Sequence, residues 1–141
     1  TLWTPQVLAA DETAEELRTH RGAFLSKQLF KSYSGYVLSQ FRRMAASQAR
    51  SRSFKPKHAM HLVRLLHSGI SALRTGEIQV DREELLAIRR GELNFEEVRA
   101  RALELDREFQ QAFEATTLPD QPDYELADKL LIAARRRMVD A

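Results

Sequence analysis

The chain has 141 residues and a mass of 16.2 kDa; 43% of the residues are hydrophobic and 30% are charged, as in one globular domain with a buried core. Five glycines and four prolines are too few for a fold of many short strands, and the absence of cysteine excludes a disulfide scaffold, a thiolate zinc site and a cysteine nucleophile. No apolar run approaches the roughly 20 residues that span a bilayer and no targeting pattern opens the chain, so we expect a soluble cytoplasmic protein.

The formal net charge of +2 hides an uneven distribution of charged residues. Residues 1–16 contain four acidic residues and no Lys or Arg, and residues 77–141 contain 16 acidic and 10 basic residues. Between them, residues 17–76 contain 12 Lys or Arg and all four His, but no Asp or Glu. A solvated helical surface ordinarily mixes both signs of charge, so this acid-free stretch indicates an anionic partner. The alternative is that it neutralises the acidic stretch within the fold.

Helical periodicity predicts an all-α fold, a bundle of about six to seven helices with or without a short extended segment at the N-terminus. In chain order the predicted helices cover about residues 13–19, 23–31, 33–50, 56–74, 82–90, 95–115 and 123–137. Three of these helices begin at capping signatures, which are Thr13 with Glu16, Asp81 with Glu84, and Asn94 with Glu97. Pro56 suits the first position of the fourth helix, and Gly76 suits its end.

Two successive helices, the third and the fourth, each carry a line of polar side chains at the same helical spacing. The apolar stripe of the fourth helix consists of Ala59, Leu62, Val63, Leu66, Ile70 and Leu73. The polar line opposite that stripe consists of Lys57, His61, Arg64, Ser68 and Ser71. The line on the third helix consists of Tyr36, Gln40, Arg43, Ser47 and Arg50. Each line alone is also what a solvated helix face shows, but together they form two acid-free rows of hydrogen-bond donors.

The residue types in the two lines suit phosphate oxygens. Arginine offers a planar fork of donors, lysine a point charge, and histidine a donor or a proton. The fourth helix also begins with Lys55–His58, where free backbone N–H groups favour an anion. The basic stretch contains no plausible zinc ligand set, no glycine-rich phosphate loop and no carboxylate pair for divalent ions. His20 and His67 have no predicted role.

Several separated motifs resemble one protein family. They are Lys57–Leu66, with Ser34–Tyr36 and Gln40–Arg43 before it and Leu73–Glu77 and Glu84–Glu92 after it. In this order they resemble the C-terminal helical half of predicted nucleotidyltransferases of the DNA polymerase β superfamily, the group often encoded beside RNA ligases. The segment Leu2–Pro5 resembles the part of such proteins that leaves the catalytic domain.

The resemblance implies that this chain is one part of a nucleotidyltransferase. Members begin with a mixed α/β domain that carries a Gly-Ser motif and a metal-binding Asp pair, and neither occurs in this sequence. Residues 1–10 would then be the exit segment from a catalytic domain that acts in cis or in trans. Residues 11–141 would be the helical domain that binds nucleotide and substrate. The resemblance further implies an NTP as substrate and Mg²⁺ as a cofactor held by the catalytic domain.

The helical half of the family is expected to close over the active-site cleft. Six residues of the two polar lines would face that cleft and grip the phosphates, namely Lys57, His61, Arg64, Arg43, Tyr36 and Gln40. No catalytic or metal-binding residue is expected in this chain, RNA is a candidate acceptor, and no membrane partner is expected. Two alternatives from other classes stay open. One is a non-catalytic basic helical module that binds RNA or DNA, and the other is an interaction domain for an acidic partner.

Overall fold

The computed structural model describes residues 11–140, and the regular elements in this part of the chain are all helical. They are α1 (Glu12–Thr19), a 3₁₀ turn (Arg21–Phe24), α2 (Gln28–Ser51), α3 (Pro56–Thr75), α4 (Arg82–Arg89), α5 (Phe95–Ala115) and α6 (Tyr124–Asp140). The predicted all-α fold is confirmed. The predicted N-terminal extended segment and exit segment, residues 1–10, lie outside the described residues. Between residues 11 and 140, no helix has the length and apolar character needed to cross a membrane.

The chain divides into two compact units. The larger unit, residues 27–118, contains α2 to α5, and the smaller unit contains α1, the 3₁₀ turn and α6. Within the smaller unit, Arg137 of α6 donates hydrogen bonds to Glu16 at 2.8 Å and Thr13 at 3.2 Å on α1. The N–H of Asp123 donates to the carbonyl oxygen of Ala23 at 2.8 Å. These contacts connect the two ends of the described chain.

The central helix of the larger unit is α3, which packs against α2, α4 and α5. Its predicted apolar stripe is confirmed, because all six residues of that stripe are buried. They meet Met44 of α2, Ile88 of α4, and Val98 and Phe109 of α5 in one hydrophobic core. The first turns of the polar line, at Lys57 and Arg64, are exposed, as expected for positions opposite this buried stripe.

At Gly69, α3 comes close to both α2 and α5. A Cβ atom at this position would lie 2.6 Å from Cε2 of Phe109 and 2.7 Å from Cδ2 of Tyr33, closer than real Cβ contacts. The ring of Phe109 also contacts Phe30 of α2, with the ring centroids 4.7 Å apart. Two aromatic rings therefore pack directly on the backbone of α3, which requires a residue without a side chain.

The structure joins two predicted helices into one. Sequence periodicity separated residues 23–31 from residues 33–50, but α2 is continuous through this region and follows the 3₁₀ turn. The hydroxyl of Ser34 donates to the carbonyl oxygen of Phe30 at 2.7 Å, and Phe30 stacks on Phe113 with centroids 4.2 Å apart. Packing of α2 on α5 therefore holds the helix through a polar stretch in which the local sequence signal is weak.

The capping predictions are confirmed for two helices and wrong for a third. Side-chain caps begin α4 and α5 as predicted, at Asp81 with Glu84 and at Asn94 with Glu97. In α1 the cap is Asp11, whose carboxylate accepts a hydrogen bond from the N–H of Ala14 at 2.8 Å. The predicted cap, Thr13, already lies inside the helix. The earlier carboxylate caps the helix because it reaches the third N–H of the first turn.

A half-buried charged cluster ties α4 to α3 and α5. One carboxylate oxygen of Glu84 accepts a hydrogen bond from Arg101 Nε at 2.6 Å, and the other lies 2.6 Å from His67 Nε2. Arg101 also donates to Glu104 at 2.8 Å. The side chains of Glu84 and His67 are only 17% and 16% exposed. Because each partner is 17 residues away from Glu84, helical spacing gave no sign of this contact, and His67 had been assigned no role.

These contacts shift the pKa values of two charged partners, Glu84 on α4 and Arg101 on α5. Burial by itself would raise the pKa of the Glu84 carboxyl, but hydrogen bonds and positive charge from Arg101 and His67 outweigh burial and hold this pKa below its ordinary value. The contact with Glu84 likewise raises the pKa of Arg101. The cluster therefore keeps Glu84 ionised in the folded chain.

The buried stripe of α3 can be tested against its polar line. We expect Leu66→Ala to lower the free energy of unfolding by about 2 to 5 kcal/mol, because Leu66 is fully buried and its truncation leaves a cavity. We expect Arg64→Ala, on the exposed side of the same helix, to lower it by well under about 1 kcal/mol. Urea unfolding of both variants measures the difference. Equal losses would mean that α3 is rotated relative to the described core.

The Glu84 cluster predicts a loss of stability in acid. A carboxyl with a lowered folded pKa stabilises the fold above its unfolded pKa, near 4.5, and the contribution disappears as the pH falls through the folded pKa. We expect Glu84→Gln to weaken the fold at pH 7 and to flatten the fall in unfolding free energy between about pH 5 and pH 3. Urea unfolding at a series of pH values measures this.

The matched control is Glu114→Gln, which removes an exposed carboxyl from α5. Wild type and this control should show the same acid dependence. If Glu84→Gln also keeps the wild-type acid dependence, the cluster does not contribute to stability in the way described.

Candidate anion-binding site

The connection between α2 and α3 brings the end of one helix beside the start of the next. The hydroxyls of Ser47 and Ser51 donate to the carbonyl oxygen of Ser53 at 3.0 and 3.1 Å, which fixes the turn. Arg52 ends α2 in the left-handed conformation with φ of 50°, a region that favours glycine. Pro56 then begins α3, as predicted, at a position where no N–H is needed.

A hydrogen bond between two side chains joins the helices near this turn. His58 Nδ1 on α3 lies 3.2 Å from Gln40 Oε1 on α2. An amide oxygen can only accept a hydrogen bond, so His58 Nδ1 carries the proton. In the neutral ring, Nε2 is therefore left as an acceptor. The same contact joins the polar line of α2, through Gln40, to the start of α3.

Basic side chains from both helices act on His58. Burial lowers the pKa of the His58 imidazole, and the positive charges of Arg43, Lys55, Lys57 and His61 lower it further. These side chains come from α2, from the turn after it and from the first turns of α3. No carboxylate is among the groups that shift this pKa. We call this group the α2–α3 cluster; it consists of Gln40, Arg43, Lys55, Lys57, His58 and His61.

Buried neighbours hold the backbone of the cluster in place. Met44 follows Arg43 in α2 and is completely buried, and Ala59 and Leu62 are completely buried next to His58 and His61 in α3. The side chains of Arg43, Lys55 and Lys57 are exposed, while the two histidines and Gln40 are half-buried. The core thus fixes where the cluster lies, and its charged ends remain available to solvent or a ligand.

Four of the six predicted site residues either hydrogen-bond to His58 or act on its pKa through their charge. These are Gln40, Arg43, Lys57 and His61. Tyr36 is 62% exposed, about one turn before Gln40 on α2, and Arg64 is exposed about one turn after His61 on α3. Among the described residues, no contact is recorded between either of these side chains and the cluster. Tyr36 and Arg64 stay predicted site residues, at positions that extend the cluster along both helices.

Two residues of the cluster were not among the predicted site residues. Lys55 and His58 had been noted only as part of the basic start of α3. The signal that could have found them is the basic run Lys55–His58 inside the acid-free stretch, directly after the turn that joins α2 to α3. Helical spacing selected positions along single helix faces and therefore missed side chains from the turn.

The C-terminal half of the predicted polar line on α3 is not a free face. Ser68 is only 7% exposed, and its hydroxyl donates to the carbonyl oxygen of Arg64 at 2.8 Å. The hydroxyl of Ser71 accepts a hydrogen bond from the N–H of Gln79 at 2.8 Å and so holds the connection to α4. The chain after α3 folds back onto this part of the helix, so the hydroxyls of Ser68 and Ser71 are used within the fold.

The cluster provides positive charge and hydrogen-bond donors, which suit an anion with several oxygens, such as a phosphate. Mg²⁺ prefers carboxylate, carbonyl and water oxygens, and the amine, guanidinium and imidazole groups of the cluster do not fit that preference. Within residues 11–140, no group of three or more His, Asp or Glu side chains is arranged to hold a metal ion. The residue types of the α2–α3 cluster therefore favour binding of an anionic ligand there.

Comparison with known families adds an independent finding. The model of the family RlaP, described as the RNA repair pathway DNA polymerase beta family, matches residues 1–133. A search of the curated proteins and a search of the solved structures each returned no match. The family match covers nearly the whole chain, including the α2–α3 cluster, and confirms the resemblance to DNA polymerase β-like nucleotidyltransferases. The chain therefore belongs to the RNA repair pathway DNA polymerase beta family.

Proposed function

We propose that this chain is the helical, substrate-binding part of a DNA polymerase β-like nucleotidyltransferase and grips the phosphates of an NTP. The observation that carries the proposal is the hydrogen bond of His58 on α3 to Gln40 on α2, at a place where the charges that act on His58 are all basic and include no carboxylate. This α2–α3 cluster repels cations and attracts a polyanion. Membership of the family supports a nucleotide as that polyanion.

The proposed site assigns different tasks to its residues. Arg43 and Lys57 supply permanent positive charge, and the planar guanidinium can bind two phosphate oxygens at once. His61 supplies a further donor from the same face of α3 as Lys57. Tyr36 and Arg64 extend the site along the two helices, where they would line the cleft beside the rest of the nucleotide.

Metal ions belong to another part of the proposed enzyme. Mg²⁺ would be held by carboxylates of an N-terminal catalytic domain, in cis or in trans, where it would neutralise charge on the reacting phosphates. The cluster described here would bind and orient the phosphates from the opposite side of the cleft. An RNA end is the acceptor that the family description favours.

Phosphate binding by the cluster can be measured directly. We expect Arg43→Ala and Lys57→Ala each to weaken NTP binding about ten- to hundredfold, because each removes a charge-assisted hydrogen bond. Titration of ATP, GTP, CTP and UTP with Mg²⁺ at two salt concentrations measures the change. Arg64→Ala and Tyr36→Phe in the same series show whether the site reaches beyond the cluster.

The control for these variants is Arg89→Ala, which removes the same charge from an exposed position on α4. NTP affinity should change less than about twofold in this control. Unchanged affinity in both Arg43→Ala and Lys57→Ala would remove the cluster from the nucleotide site. Binding of RNA or DNA that weakens with salt and does not respond to NTP would instead support a non-catalytic nucleic-acid-binding module. Selective binding of an acidic protein would support an interaction domain.

The division of tasks predicts that this chain alone transfers no nucleotide. The basic stretch that forms the cluster contains no Asp or Glu, whereas nucleotidyl transfer with two metal ions needs carboxylates to hold them. We expect no labelled product when the pure chain is incubated with labelled NTPs, Mg²⁺ and mixed RNA acceptors. Robust metal-dependent labelling would contradict the proposal that the chain is only the binding part.

A further inference from the structure

His58 differs from the other basic residues of the α2–α3 cluster because a side-chain hydrogen bond holds it to the neighbouring helix. Its Nδ1 proton is directed to Gln40 Oε1 at 3.2 Å, so the ring is fixed to α2 by one nitrogen. The other nitrogen, Nε2, has no proton in the neutral ring and cannot donate to a phosphate oxygen. Protonation at Nε2 would convert this nitrogen into a donor and leave the hydrogen bond to Gln40 intact.

The surroundings of His58 oppose that protonation in the free chain. The charged groups that act on it are Arg43 from α2 and Lys55, Lys57 and His61 from the turn and α3, and all of them are basic. Together with partial burial, their charge lowers the pKa of the imidazole. No acidic group from α4 or α5 is among the groups that shift it. The ring is therefore neutral in the free chain at physiological pH.

We infer that His58 forms a phosphate subsite that takes up one proton when the phosphoryl group binds. The inference rests on the proposed function, because it concerns the ligand of the same cluster. It adds His58 as a ligand-binding residue and adds the uptake of a proton at Nε2, neither of which the proposed phosphate grip requires. The chemical class of the ligand is a dianionic phosphoryl group, bound through Nε2–H of the imidazolium and through the neighbouring cations.

The balance of charges explains why binding and protonation are linked. Burial and then positive charge lower the pKa of His58, and a dianion bound beside Arg43, Lys55 and Lys57 offsets the charge part, so that a proton from solvent adds to Nε2. The protonated ring gains a charge-assisted hydrogen bond to the ligand. Linkage is reciprocal, so the factor by which the anion increases proton affinity is the factor by which the proton increases anion affinity.

Sulfate is a suitable probe, because it carries the shape and charge of a phosphoryl dianion and does not itself titrate near neutral pH. We expect sulfate to bind about tenfold more tightly at pH 5.5 than at pH 8, and to move the titration midpoint of the His58 NMR signal upward. Sodium chloride at matched ionic strength controls for simple screening of the cluster. The signal of His67, which contacts Glu84, is the internal control and should not respond to sulfate.

Two variants test the role of the His58 ring itself. His58→Gln identifies the NMR signal and should remove most of the pH dependence of sulfate binding. Gln40→Glu places a carboxylate at the Nδ1 hydrogen bond, so His58 should be protonated before the anion arrives, and sulfate should no longer shift its midpoint. The second variant keeps the test valid if the first does not fold.

The outcomes separate this inference from the proposed function. If ATP binds with the dependence on Arg43 and Lys57 described above, but sulfate moves His58 no more than chloride does, the proton linkage is wrong and the phosphate grip stands. The linkage is also wrong if His58→Gln keeps the full pH dependence. If neither ATP nor sulfate produces any response, both proposals are wrong. A sulfate-specific shift of His58 that is absent in Gln40→Glu supports the inference.

Discussion

The structure of the larger unit depends on the burial of α3 by three other helices. Gly69 permits this arrangement, because the rings of Phe109 and Tyr33 come so close to the helix backbone that any side chain would collide with them. One consequence is that α2 and α5 are held by the same turn of α3. A second consequence is that packing at Gly69 helps to set the position of α2 relative to α3. The geometry of the α2–α3 cluster therefore depends on this packing as well.

The two ends of α3 have different roles. Its C-terminal half is covered by the connection to α4, which Ser71 holds through Gln79, and by the contact of His67 with Glu84. In its N-terminal half Ala59 and Leu62 are buried in the core, whereas Lys57 is exposed. All carboxylates of the larger unit lie at or after Glu77 in the sequence. The charge of one of them, Glu84, is balanced by its contacts with Arg101 and His67. The turn before α3 and its first turn carry Lys55 and Lys57, both exposed.

The fold was largely predictable, because its signals are local. The stripe from Ala59 to Leu73 repeats at helical spacing, and Asn94 with Glu97 marks a helix start by itself, so both were predicted correctly. The continuity of α2 was not predictable, because it depends on Phe30 meeting Phe109 about 80 residues later in the chain. Helical spacing likewise selected Arg43 and Lys57 but could not pair His58 with Gln40 or His67 with Glu84, because those contacts join different helices.

The left-handed backbone of Arg52 has a consequence for the turn between α2 and α3. Glycine suits this conformation, and an L-residue with a side chain costs roughly 1 kcal/mol more in it. The turn therefore carries an arginine at the expense of its own backbone stability, three residues before Lys55 and five before Lys57. A glycine at this position would strengthen the hairpin while it weakens the electric field around it. At residue 52, backbone stability and positive electrostatic potential therefore favour different residues, glycine and arginine respectively, and the chain has arginine there.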